Sequence, residues 1–291
     1  MKLQWKAALT LVAGSALLVA CSNRAATTPP AGAASGPGYH PGKFVWQDLV
    51  TRDPAAARRF YGALLDWTFE DTTRNGKPYA VARAGGQPVA GIIANPEPTE
   101  EPALWLSYLS VSNVDQAVEQ VTAAGGKTLY EPRDLANVAR VAVVTDPQGA
   151  ALGLVRLRDG DPDDPPSPEA GHVFWMEYMA SDASAALDFY SRLSGYETSL
   201  QESQNGLDYH VLRRDGRSRA GLFQIPKGAD ENVDPNWLPY ILVDDPGALA
   251  KRAEALGGSV ILAPDPGIRG GTLAIVADPT GGALALQKYP L

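Results

Sequence analysis

The stretch WQDLVTRDPAAARRFYGAL, beginning at Trp46, returns as WMEYMASDASAALDFYSRL, beginning at Trp175. A chain that writes one phrase twice at long range builds one structural unit twice. The 291 residues leave each copy enough length for its own core.

Each copy divides again into two parts of the same plan. Val45 to Thr51 is rich in β-formers, and Asp53 is placed to cap a helix whose first residue is Pro54. Phe60, Tyr61, Leu64 and Leu65 then fall at helical spacing. The short segments WTFED, PYAVARA and PVAGIIA follow as strands, separated by Asn-Gly and Gly-Gly turns. WLSYLSV opens a second round, with NVDQAVEQVTAAGG as its helix and KTLYEP, VARVAVVTD and AALGLVRL as its strands. The same two rounds return after residue 171, opening on FWMEYMA and on WLPYILV. The chain is therefore expected to be α+β, with four βαβββ modules paired first with second and third with fourth.

Flanking composition sets the boundaries. Residues 1–20 carry Lys2 and Lys6 ahead of an apolar run from Ala7 to Ala20, the pattern of a secretory signal rather than a membrane span. Residues 21–42 are Pro, Gly, Ala, Ser and Thr with almost no large apolar side chain, so a tether is expected there. The acidic, proline-rich residues 159–170 read as a linker between domains at 43–158 and 171–291. The net charge of −8 comes without a basic stripe, which argues against nucleic-acid binding. One cysteine excludes an intramolecular disulfide framework, and three dispersed histidines give no Cys/His zinc pattern. No Gly-rich nucleotide loop, GxSxG elbow or Ser-His-Asp order is present; the two DPxG motifs read as hairpin turns.

Two resemblances follow from these motifs. The sequence LVAC ending at Cys21 resembles a bacterial lipobox, which implies cleavage before Cys21 and its lipidation. Acyl chains would then hold the protein on the cell envelope, each buried methylene contributing roughly 0.8 kcal/mol. Ser22 after the cysteine favours the outer membrane, and an ordinary signal peptide with a chance cysteine is the alternative. The tandem βαβββ modules, each with an Asp-helix start, a Gly-Gly helix end or a DPxG turn, resemble the vicinal oxygen chelate superfamily. That superfamily holds glyoxalase I, extradiol dioxygenases and bleomycin resistance proteins. The resemblance implies two cups of strands, each with a ligand site inside.

It also implies where metal ligands would stand: a His or Gln seven residues before the helix-capping Asp, and a Glu seven after the DPxG aspartate. Those positions hold Trp46, Trp175, Leu106 and Leu238 on first strands, and Gly153 and Ala285 on last strands. None has a side chain that ligates a divalent ion, so neither a metal nor another cofactor is expected. Strand alternation places Trp46 with Asp48, Leu106 with Tyr108, Trp175 with Glu177, and Leu238 with Tyr240 on one face. Pairs Asp48–Tyr108 and Glu177–Tyr240 are expected, because a buried carboxylate needs donors. Tyr79 and Tyr209 are candidates for the walls, and His210 lies outside the repeated plan. The quartets read either as satisfied core or as small-molecule pockets for an aromatic or cationic ligand. Asp48 or Glu177 as a general base is a further reading. Binding in the cups, with the lipid anchor at Cys21 as the membrane contact, is the leading expectation. A lyase, isomerase or oxygenase of the same superfamily and an envelope scaffold are the alternatives.

Overall fold

A computed structural model of the chain describes residues 38–95, 101–136, 138–202, 208–226 and 233–289. The expected signal segment, most of the tether and Cys21 lie outside the described residues.

The first domain runs β1 (Phe44–Thr51), α1 (Pro54–Leu65), β2 (Thr68–Arg74), β3 (Lys77–Ala84) and β4 (Gln87–Ala94). It continues with β5 (Leu104–Ser110), α2 (Val114–Ala123), β6 (Lys127–Leu135), β7 (Ala139–Thr145) and β8 (Ala151–Leu157). The second domain repeats the order as β9 (Val173–Ala180), α3 (Ala183–Ser194), β10 (Glu197–Glu202), β11 (Asp208–Arg214) and β12 (Arg217–Gln224). Its last module is β13 (Asn236–Leu242), α4 (Pro246–Ala255), β14 (Ser259–Leu262), β15 (Leu273–Ala277) and β16 (Ala283–Gln287). A 3-10 turn at Arg269–Gly271 interrupts the β14–β15 connection.

Each of the four α-helices among the described residues starts on a side-chain cap. Asp53, Asp182 and Asp245 each accept a backbone N–H three residues on at 2.9 Å, and Asn113 does so at 3.2 Å. Pro54 and Pro246 occupy first turns, where their missing N–H is of no consequence. Each domain forms one eight-stranded sheet, in the order β2-β3-β4-β1-β5-β8-β7-β6 and its counterpart β10-β11-β12-β9-β13-β16-β15-β14. The two modules of a domain join antiparallel through their first strands, with Trp46 opposite Tyr108 and Asp48 opposite Leu106. In the second domain Trp175 faces Tyr240 and Glu177 faces Leu238.

The helices lie on one face of each curled sheet, and these faces pack on each other. Leu49, Phe60, Tyr61 and Trp105 share a core with Ile241, Ala253, Val276 and Leu286, so module one packs on module four. Leu109, Val121 and Leu152 share another with Met176, Tyr190 and Leu222, so module two packs on module three. The DPxG aspartates stitch this interface. Asp146 Oδ1 accepts the N–H groups of Gln148 and Ala150, closing its own turn at 2.8 and 2.9 Å. Its Oδ2 accepts the hydroxyls of Tyr178 and Tyr190 from the other domain at 2.5 and 2.7 Å. Asp278 reciprocates, taking Tyr61 at 3.0 Å. Gly149 and Gly281 supply the positive φ that these turns require, 98° and 97°.

The acidic stretch at 159–170 is held down rather than loose. Asp161 accepts Ser110 Oγ at 2.6 Å and His40 N at 2.7 Å. Asp164 pairs with Lys43 at 2.9 Å and Arg219 at 2.7 Å. The end of the expected tether is likewise packed, with Gly42 N donating to Ser110 O and the Arg156 guanidinium 3.4 Å from the centre of the Tyr39 ring.

Candidate functional site

The helix-free face of each sheet carries a separate small core. In the first domain Leu106, Tyr108, Val141 and Val155 pack with Trp46 and Val50. In the second, Leu238, Tyr240, Leu273 and Ala285 pack with Trp175 and Ile268. At the centre of each face stands one acid. Asp48 and Glu177 are 1% and 2% exposed, so their lone pairs must find donors inside the protein.

In the first cup Asp48 Oδ1 accepts Trp46 Nε1 at 2.8 Å and the Tyr79 hydroxyl at 2.6 Å. The Tyr108 hydroxyl lies near enough to this carboxylate to feel its charge. Its Oδ2 forms an ion pair with Arg74, which comes from the end of β2. The guanidinium lies 5.2 Å from the Tyr79 ring and 5.6 Å from the Tyr108 ring. In the second cup Glu177 Oε1 accepts Tyr209 at 2.6 Å, and Oε2 accepts Tyr240. Trp175 Nε1 donates to the Tyr209 hydroxyl at 2.9 Å. Arg269, from the 3-10 turn, ion-pairs with Glu177 and lies 5.3 Å from the Tyr240 ring.

The close approach of Tyr79 and Tyr209 depends on two strand glycines. Gly91 lies opposite Asp48 and Gly221 opposite Glu177 in parallel register. A Cβ at either would overlap the tyrosine hydroxyl that fills the space.

Burial raises the Tyr79 and Tyr240 hydroxyls well above the ordinary tyrosine value, and the negative carboxylate beside each adds to it. Tyr108 and Tyr209 are raised for the same two reasons. Burial would lower the two guanidiniums, but Asp48 and Glu177 outweigh it and hold Arg74 and Arg269 above their ordinary value. Each cup thus presents a paired charge framed by neutral hydroxyls and aromatic rings.

All six residues singled out from the sequence stand on these faces. Glu177 and Tyr240 bond directly, whereas the tyrosine hydroxyl bonded to Asp48 is that of Tyr79. Sequence reasoning missed both arginines, and it gave Tyr79 and Tyr209 only a place in the walls. The strand glycines Gly91 and Gly221 were the available signal for the tyrosines. His210 stands on β11, one residue from Tyr209, and His40 and His172 lie outside both cups.

Comparison with known proteins places this arrangement. Residues 43–154 match the model of the Glyoxalase/Bleomycin resistance protein/Dioxygenase superfamily, and residues 168–286 match that of a Glyoxalase-like domain. The chain belongs to this superfamily. It is 32% identical over 254 residues to "Putative glyoxylase CFP32" of Mycobacterium tuberculosis (strain CDC 1551 / Oshkosh), covering 86% of this chain and 96% of that protein. It is 29% identical over 276 residues to the anthracycline biosynthesis protein DnrV of Streptomyces peucetius, covering 87% and 96%. Among solved structures it is similar to the Mn(II)-bound glyoxalase from Novosphingobium aromaticivorans, with a TM-score of 0.55, 18% identity and coverage of 86% and 82%. It is also similar to 2,2',3-trihydroxybiphenyl 1,2-dioxygenase from Sphingomonas wittichii strain RW1, with a TM-score of 0.55, 14% identity and coverage of 85% and 90%. At these identities the solved structures speak for the fold alone.

A divalent ion of the kind named for the first of these structures does not fit the residues present. The side chains at the family's ligand positions, Trp46, Leu106 and Gly153 with Trp175, Leu238 and Ala285, carry no carboxylate, imidazole or amide oxygen. A side chain at Gly153 would overlap the Tyr108 ring. The acid that remains in each cup already has a guanidinium as its cation. Among the described residues no group of three or more His, Cys, Asp or Glu stands close enough to hold an ion.

Proposed function

We propose that the protein binds a small, oxygen-bearing aromatic molecule in its cups, and that it does so without a metal. One observation carries this reading: in both cups an arginine lies against tyrosine rings and is paired with the central carboxylate. The acid cannot then serve as a free anchor for a cationic ligand, because an internal cation already occupies it. What the cup offers instead is guanidinium N–H groups beside flat aromatic walls, which suit a planar ring with acceptor oxygens. The relatives named for anthracycline biosynthesis support an aromatic ligand.

The test is calorimetric titration of the full chain with catechol, benzoate and 1,8-dihydroxyanthraquinone, set against benzyltrimethylammonium. Saturable binding of at least one oxygenated ring, and none of the cation, is the expected outcome. At least one of Asp48→Asn and Glu177→Gln should weaken that binding with the far-ultraviolet spectrum unchanged. Failure of every oxygenated ring to bind would sink the reading, as would unaltered affinity in both variants.

Export and lipid anchoring at Cys21 belong to the same proposal and rest on the signal-like residues 1–20 and the LVAC sequence. Intact mass of the chain expressed in a bacterial host tests them. A mature species beginning at an acylated Cys21 is expected, and an unmodified or uncleaved chain would refute it.

A further inference from the structure

We infer that the second cup is the ligand-competent one, and that Arg269 and Gln287 together select a hydroxylated aromatic acid or ketone. The inference rests on the reading of the cups as small-molecule sites and names the ligand class of one of them.

The two cups look alike at their acids but differ in what is left unmet. Arg269 reaches Glu177 through Nη2, while its Nη1 is buried with no acceptor. A buried guanidinium N–H without a partner is costly, by more than an ordinary polar group, and an acceptor arriving on a ligand would remove that cost. No atom of Arg74 is orphaned in this way in the first cup.

The loop that carries Arg269 is built to aim it. Arg269 itself has φ of 49° and the two glycines after it have φ of 61° and 80°. A left-handed backbone at an arginine is strained, and strain of this kind persists where the surroundings hold it. Here the bracing is explicit: Thr272 Oγ1 donates to Arg269 O at 2.6 Å, and Gln287 Nε2 donates to Thr272 Oγ1 at 2.9 Å.

That last contact brings in a second unmet group. Gln287 is fully buried and follows Ala285 by two residues on β16, so it shares the cup face. Its amide orientation is fixed, because Nε2 also donates to Lys288 O at 2.7 Å and a carbonyl can only accept. Its Oε1 is therefore left as a buried acceptor without a donor. The second cup holds one free donor and one free acceptor, tied to each other through Thr272. The first cup has Val155 on the same rung of its last strand, two residues after Gly153. A ligand that meets both groups carries an anionic or carbonyl oxygen for Arg269 and a hydroxyl for Gln287, on an apolar ring that lies against Tyr240.

Benzoate and 2-, 3- and 4-hydroxybenzoate present the two groups at every spacing one ring allows. Calorimetry on the full chain should give one site per chain and at least one hydroxybenzoate that outbinds benzoate. Arg269→Lys keeps the charge that Glu177 needs but loses the fork, and should weaken all four acids about tenfold or more. Gln287→Leu, which also removes the brace on Thr272, should weaken the hydroxybenzoates more than benzoate, so that the advantage of the hydroxyl is lost. Thermal melting and the far-ultraviolet spectrum verify that both variants fold, and where Arg269→Lys does not, Arg269→Gln takes its place. Binding that persists unchanged in Arg269→Lys, or two equivalent sites per chain, would overturn this inference while leaving the cups as binding sites. Binding by no oxygenated ring of either set would overturn both readings.

Discussion

Raising the pH should unfold this protein abruptly, through its tyrosines. Of eleven tyrosines, four in the cups are pushed above their ordinary value, led by burial and reinforced by Asp48 or Glu177. Four more are raised at the domain interface: Tyr61, Tyr178 and Tyr190 by burial and then by the DPxG aspartates, and Tyr196 by burial. A group whose folded value exceeds its unfolded value holds its proton in the fold after the unfolded chain has released it. Its contribution is therefore complete below about pH 10 and declines as pH rises beyond that. Each such tyrosine removes about 1.36 kcal/mol per pH unit, and eight together remove about 11 kcal/mol per unit. Domains are stable by about 5–15 kcal/mol, so the fold should fail within about one unit above pH 10. Burial lowers Lys43, which acts in the opposite sense, but both states of that group are deprotonated above about pH 10.5. Tyrosinate absorbance and circular dichroism should be followed together from about pH 9 to about pH 12. The bulk of the tyrosinate signal should appear in one cooperative step, coincident with loss of the circular dichroism. A smooth rise of all the tyrosinate signal around the ordinary value, with secondary structure intact, would refute the reasoning.

Two further perturbations follow from single contacts. Asp146→Asn puts an amide where two tyrosine hydroxyls from the other domain converge, and should lower stability by roughly 1–3 kcal/mol in urea denaturation. Conservation of the wild-type midpoint would show that the reciprocal aspartates do not hold the domains. Gly153→Ala puts a methyl into the Tyr108 ring and should cost about 1–3 kcal/mol, read as a drop in melting temperature. An unchanged melting temperature would mean that the ring has room to move, and that the family's last-strand ligand position is open after all.

Much of the fold was written in periodicity. The duplicated phrase gives two copies and the two rounds within each give four modules, while the capped helix starts at Asp53 and Asp182 follow from side-chain chemistry that operates within a few residues. The partners of the helices were not legible in this way. The apolar stripe of α1, with Phe60, Tyr61 and Leu64 buried, shows that it packs but not that it packs on α4 of the other domain. Composition marks residues 159–170 as a linker, but it does not show which of their acids are buried and paired. Asp161 is 1% exposed and holds Ser110, and Asp164 gathers Lys43, Arg217 and Arg219. A charge count cannot tell a solvated carboxylate from one that anchors a strap.

The arginines resisted the sequence for a different reason, and the reason bears on function. A repeat exposes what both copies share, and the two cups do not share the origin of their guanidinium. Arg74 enters from the β2–β3 hairpin of the first module, whereas Arg269 enters from the β14–β15 connection of the fourth. At the corresponding offsets, 129 and 132 residues away, the chain carries Ser203 and Asn137. An acid kept only as a relic of duplication could be neutralised by replacement, since apolar residues of similar volume are often as stabilising as a buried ion pair. Instead each cup retains its acid and acquires its cation from opposite ends of the sheet. The outcome common to both cups is a guanidinium set against tyrosine rings. The acid is the group that holds the arginine in place, and on the proposed function the arginine is the group a ligand would meet.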